Sequence, residues 1–130
     1  ADGMSYGVYR AIQNSGKEIT ISSNDGEADA LAYTESGEYL LENLVGNGRL
    51  GYWGMVIADR LSKGEEMAKD QYLPTYKVPG EKMKPVVEEA GLEKGEDGTQ
   101  YQIVTVEEAK KIGSPEGYKE EFNEDFVPTK

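Results

Sequence analysis

The chain has 130 residues, enough for one domain with a real core, but only 37% are hydrophobic and 30% are charged, so part of it should lie outside that core. A net charge of −11 argues against nucleic acid or an anionic membrane surface as partner. Histidine and cysteine are both absent, which removes disulfides, a thiol nucleophile, the usual general base and the commonest transition-metal ligand.

In chain order, Asp2 is a good N-cap for a first helix that stops at Gly16, with Met4, Val8, Ala11 and Ile12 on its inward face. No strand precedes that cap, so the chain is expected to be a piece of something longer, with Ala1 a cloning remnant. Residues 18–23 read as a strand, because Ile19 and Ile21 alternate with Thr20 and Ser22, and Asn24-Asp25-Gly26 is strong turn chemistry. Glu27 to Ser36 is a short helix with Ala28, Leu31 and Ala32 inward and Gly37 past its end. Tyr39 to Val45 is a second strand, apolar enough to be covered on both faces. Gly46-Asn47-Gly48 then leads into a helix from Arg49 to Lys63, whose stripe of Leu50, Trp53, Gly54, Ile57, Ala58 and Leu61 is expected to pack on the sheet.

Leu73 to Val78 reads as a third strand that Pro74 confines to an edge or to its first residues. Glu81 to Leu92 is weakly helical, Gly95 to Gly98 is a polar loop, and Tyr101 to Val106 is a further strand. Val106 to Ile112 suits one or two helical turns, and the rest is a charged tail with Tyr118, Phe122, Phe126 and Val127 as anchors. Three regions follow: an α/β lobe core at 1–78, an extension at 79–112 whose helix and strand are candidates to complete the lobe, and an acidic tail at 113–130.

Asn24 and Asp25 lie in the turn at the carboxyl end of a strand that is flanked by helices, the edge at which open α/β sheets bind small molecules. They serve either to form the turn or to touch a ligand. A receiver-type phosphoacceptor set around Asp25 is missing, and Asp25 with Glu27 and Asp29 lacks calcium-loop spacing, so neither a metal nor a cofactor is expected. Gly46-Asn47-Gly48 reads first as a tight turn and second as an anion cradle. Tyr6, Tyr9, Tyr33, Tyr52 and Trp53 suit packing better than stacking on a sugar ring. Asn43 stands inside an apolar run, where an unpaired amide would cost roughly 1–3 kcal/mol, so it needs a buried partner or a ligand.

The order of these pieces resembles the C-terminal lobe of type I periplasmic sugar-binding proteins, the ribose/galactose-binding family of ABC-transporter solute receptors. Ala1-Asp2-Gly3-Met4-Ser5-Tyr6-Gly7-Val8 is similar to the family's Asn-Asp-x-Met-Ala-x-Gly-Ala helix start. Ile21-Ser22-Ser23-Asn24-Asp25-Gly26 resembles its Val-Gly-Phe-Asp-Gly strand end, and Leu61 to Gly64 its Leu-x-x-Gly pattern. Leu73 to Val78, or else Gln102 to Glu107, resembles the closing strand before its Val-Thr-x-Glu-Asn.

The resemblance implies a three-layer, Rossmann-like lobe with a mostly parallel sheet, one half of a periplasmic-binding-protein-like pair, plus an irregular C-terminal extension. It implies a binder and not an enzyme, with Asp25 accepting hydrogen bonds from sugar hydroxyls. Asp2 matches the motif aspartate that caps its helix beside the cleft, and Asn24 precedes the binding aspartate. The family's preceding asparagine is replaced by Ala1, and its second-strand glutamine by Val45, for which Asn43 or Asn47 is the candidate substitute. The implied partners are a small ligand, a sugar; an N-terminal lobe; and an ABC permease, with neither nucleic acid nor membrane insertion and with a homodimer left open. The implied location is extracellular or periplasmic, as a cell-surface lipoprotein. Two rivals stand beside this reading: the effector-binding half of a lactose-repressor-type transcription regulator, and a small α/β enzyme.

Overall fold

The fold grows from a βαβ unit. Ile21–Asp25 (β1) and Tyr39–Leu44 (β2) pair in parallel, joined by Ala28–Ser36 (α2). The computed structural model describes residues 1–90 and 102–122. Asp2–Ser15 (α1) precedes the unit; Asn47–Ser62 (α3), Tyr76–Pro79 (β3), Lys84–Ala90 (α4), Gln102–Ile103 (β4), Val106–Ile112 (α5) and Pro115–Lys119 (α6) follow it. The expected polar loop at Gly95 to Gly98 and the anchors Phe126 and Val127 lie outside the described residues.

The protein is α/β, with an open four-stranded sheet of order β1-β2-β3-β4 among the described residues. Two of its three pairings are parallel, as expected; β2 and β3 run antiparallel, so the sheet is mixed. The physical reason lies in the guanidinium of Arg49, which is bonded to the carbonyls of Val45, just past β2, and of Pro74, just before β3. The chain therefore re-enters the sheet at the carboxyl end of β2, where Tyr76 sits opposite Leu44. Pro74 lies ahead of the strand, and β3 is an interior strand with β2 and β4 on either side.

Side chains directly opposite one another share a face. Leu44 with Tyr76 and Glu42 with Val78 point one way, and Asn43 with Lys77 point the other. On the first face Leu31 of α2 and Ala109 of α5 pack with Leu44, Tyr76 and Val78, while Tyr6, Tyr9 and Ile12 of α1 close over Ile21, Ala30 and Tyr39. The helix packing described falls on this face, so the second helical layer expected of a three-layer arrangement is not seen among the described residues, and Leu41, Asn43 and Lys77 on the other face are half-buried.

Several expectations are corrected. Met4 and Val8 are 70% and 52% exposed, and α1 instead buries Asp2 and Ser5 and turns Tyr6 and Tyr9 inward. The sheet presents polar partners to that helix, since the Ser5 and Tyr39 hydroxyls bond at 2.7 Å, and the tyrosine rings of α1, α2 and β2 stack into one aromatic cluster that offers more area than methionine and valine. Asp2 is the first helical residue and not the N-cap; that position is Ala1. The first strand covers 21–25 rather than 18–23, because Asn24 and Asp25 pair with Asn43 and Leu44, and Ile19 is left exposed. In α2 the buried residues are Ala30, Leu31 and Thr34, with Ala28 and Ala32 outside.

The long helix α3 departs furthest. It packs mainly against α6, and only Arg49 and Trp53 are buried. Trp53 meets Phe122 edge-on and donates its indole N–H to the Tyr118 carbonyl at 2.9 Å, so this tail segment takes the place of the sheet. Leu50 and Leu61 remain about half exposed, and open space surrounds Gly51 and Gly54. At the far end Thr105 and Glu108 form a reciprocal capping box that starts α5 where the sequence places it.

Candidate functional site

The carboxyl ends of β1 and β2 and the start of β3 meet along one edge of the sheet. Register places Asn24, Asn43 and Lys77 side by side across the three strands, all half-buried. Their polar groups are joined in series. Lys77 Nζ donates to Asn43 Oδ1 at 2.5 Å, Asn43 Nδ2 to Asn24 Oδ1 at 2.5 Å, and Asn24 Nδ2 to Asp25 Oδ1 at 2.8 Å. The row thus runs from an ammonium to a carboxylate through two amides. Burial lowers the Lys77 pKa.

Asp25 stands at the end of this row with a φ of 137°, a conformation that non-glycine residues rarely adopt and that costs roughly 1–3 kcal/mol. Its second carboxylate oxygen accepts the Asp2 amide at 3.2 Å, and its carbonyl accepts the amides of Val45 and Gly46 at 3.3 and 2.8 Å. Those bonds bring the first turn of α3, with Asn47 exposed, beside Asp25. The Gly46 amide is thereby occupied, and Gly46-Asn47-Gly48 acts as the strand-to-helix turn.

Of the five residues singled out in the sequence, Asn24, Asp25 and Asn43 come together as one bonded set and Asn47 lies near it without joining. Asp2 is a correction. It is wholly buried, with one carboxylate oxygen taken by the Ser23 hydroxyl and the other by the Glu27 amide at 2.7 Å, so it positions the edge from beneath and is closed to a ligand. The partner that Asn43 needs comes from Asn24 and Lys77.

Glu42 was missed. It is 0% exposed, its Oε1 accepts the Gly26 amide at 2.9 Å, and its Oε2 has no hydrogen-bond partner among the described residues. Its pKa is pushed up to about 8, first by burial, then by the charge of Asp2, against the lowering effect of the Gly26 amide; the Asp2 carboxyl, an acceptor for the protonated acid only, and the charge of Asp25 add to the rise. Glu42 stands in the same apolar run that drew attention to Asn43, so the same reasoning would have found it. Lys77 could not be found that way, because only the antiparallel register brings it opposite Asn43.

Among the described residues no group of three or more Asp, Glu, His or Cys side chains is placed to hold a metal ion. The tyrosines pack: Tyr6, Tyr9 and Tyr33 between α1 and α2, and Tyr52 against Tyr118. What the edge presents is an ammonium, two amides and a carboxylate in series on a half-buried surface, each bonded to the next. Comparison with protein-family models, with curated proteins and with solved structures gives no match.

Proposed function

We propose that this chain is one lobe of a two-lobe solute receptor, and that it holds a small polar ligand, a sugar, between lobes that close on a hinge. The observation that carries the reading is the row of Asp25, Asn24 and Asn43 at the carboxyl edge of the βα unit, with Asp25 held at a φ of 137°. Carboxylate and amide groups fixed by their neighbours bind hydroxyls directionally. Backbone strain of this kind gathers at ligand sites.

On this reading the mixed sheet belongs to a Rossmann-like lobe. The parent is an exported cell-surface lipoprotein that hands its ligand to an ABC permease. Two features are consistent with it: the acidic net charge, and the absence among the described residues of any helix long and apolar enough to cross a membrane. The edge binds and does not catalyse; the raised carboxyl of Glu42 is sealed beneath it and away from any ligand above.

One lobe supplies half of the contacts, so affinity should be weak. In an amide-resolved NMR titration with a panel of monosaccharides, the expected result is a Kd of ~1 mM or weaker, with shifts confined to residues 24, 25, 43, 47 and 77. Micromolar calorimetric binding to any monosaccharide would sink the one-lobe reading, and shifts gathered elsewhere would move the site.

A further inference from the structure

We infer that Glu42 carries a proton beneath the Asp25 edge, with Asp2 as its acceptor, and that this proton keeps the turn of residues 25–27 in its ligand-ready form. The inference is a regulation of the site described above and rests on the reading of that edge as the ligand edge.

The geometry sets out the parts. The turn between β1 and α2 has two consecutive amides, and each ends on a different buried carboxyl: Gly26 on Glu42 at 2.9 Å and Glu27 on Asp2 at 2.7 Å. Asp2 reaches the turn once more through its own amide on Asp25, and it also accepts the Ser23 hydroxyl on β1. Both residues are 0% exposed. The two oxygens of Asp2 are satisfied by donors, whereas Glu42 Oε2 has none among the described residues. A buried carboxylate oxygen without a donor is unfavourable; a carboxylic acid there becomes a donor, and Asp2 is its acceptor.

The Gly26 amide is the one neighbour that favours the ionised form, and burial together with the acidic neighbours outweighs it. The groups that bear on Glu42 are Asp2 from α1, Asp25 from β1 and Tyr39 from its own strand, and both charged ones are acidic. The residues that α2 buries are Ala30, Leu31 and Thr34, α5 buries Ala109, and Val78 lies opposite on β3; all are uncharged. Loss of the proton to solvent therefore leaves adjoining carboxylates under the turn that carries Asp25. Repulsion among them is relieved by opening that turn, which moves the carboxylate meant for the ligand.

The test is a carboxyl-carbon and amide NMR titration of the ligand-free chain between about pH 6 and about pH 10, a range that spans the expected transition. The Glu42 carboxyl should titrate with a midpoint near 8, and the Gly26 and Glu27 amide resonances should move with that same midpoint. Glu42→Gln, which keeps an acceptor for Gly26 and a donor toward Asp2, should abolish the step and hold both amides at their low-pH positions. Asp2→Asn should move the Glu42 midpoint down. A Glu42 midpoint in the ordinary carboxylate range overturns the inference, and so does a midpoint near 8 that leaves the two amides unmoved. The titration contains no sugar, so a failure of sugar binding is read separately, and the wild-type titration decides even where a variant does not fold.

Discussion

Glu42 Oε1 accepts the Gly26 amide proton at 2.9 Å, tying the turn after β1 to a carboxyl on β2 that is 0% exposed. That bond links the shape of the candidate site to pH. In the folded chain the Glu42 pKa is raised from 4.5 to about 8, so between those values the folded state keeps a proton that the unfolded state releases. Stability is therefore highest at the acid end of this window and falls as pH rises through it, by up to ~1.4 kcal/mol per pH unit, levelling off above about pH 8. Glu108 acts in the opposite sense. Its pKa is lowered by the backbone and side chain of Thr105, so its contribution is present above the unfolded value and lost as pH falls through the folded one. Denaturant unfolding across the range should show the decline, and Glu42→Gln should flatten it. A wild-type profile that rises from pH 5 to pH 8 would contradict the assignment.

Gly26 has a φ of +85°, and a Cβ built on it would collide with Leu44 Cδ1 and come within 3.2 Å of Leu44 Cα. Gly26→Ala combines a strained backbone with overpacking against a core residue, and a loss of about 2–4 kcal/mol is expected. Thermal unfolding of the variant measures it; a loss below about 1 kcal/mol would mean that the turn relaxes easily.

At position 25 the usual order of alanine and glycine should invert. Both substitutions remove the carboxylate that accepts from Asn24 and from the Asp2 amide, but only glycine is at ease at a φ of 137°. Asp25→Gly is expected to be more stable than Asp25→Ala by about 1–2 kcal/mol, and both should erase the monosaccharide-induced shifts at residues 24 and 43. Equal stabilities for the pair would show that position 25 carries no backbone strain.

Arg49 and Glu121 form a buried ion pair that joins the first turn of α3 to the segment after α6, with side chains 0% and 8% exposed. Tyr76 shares Glu121 through a 3.0 Å hydrogen bond and lies under the guanidinium, and burial followed by the Glu121 charge pushes its hydroxyl up to about 12. Removing one partner strands the other, so Glu121→Leu and Arg49→Met should each cost about 3–5 kcal/mol, while the double variant recovers a large part of that loss. Additive losses in a double-mutant cycle would show that the two residues act independently.

How much of this was readable varies residue by residue. The βα unit was plain, because Leu31, Leu44 and the glycines at 37 and 46 carry period, apolarity and stop signals within a short window. Asn43 was readable as a misfit in an apolar strand, and its partners were not, since Asn24 and Lys77 lie 19 and 34 positions away and meet it only through register. The inward face of α1 was misread because apolarity pointed to Met4 and Val8, while the sheet beneath offered a tyrosine hydroxyl and rewarded Ser5, Tyr6 and Tyr9. For α3 the stripe was real as a pattern, but it assumed a sheet as its partner, and the helix lies against α6 and Phe122 instead.

By itself the sequence determined the α/β class and the order of the elements from α1 to α5, and it singled out the polar residues Asn24, Asp25 and Asn43, because propensity, turn chemistry and polarity act over a few neighbouring positions. Only the tertiary structure decided that β3 runs antiparallel, that Asp2 is sealed beneath the edge and not part of it, and that Glu42 carries the raised carboxyl. Each of these depends on which distant groups share a desolvated space. In that space the energy of a charge is set by its neighbours, and no local window of sequence contains them.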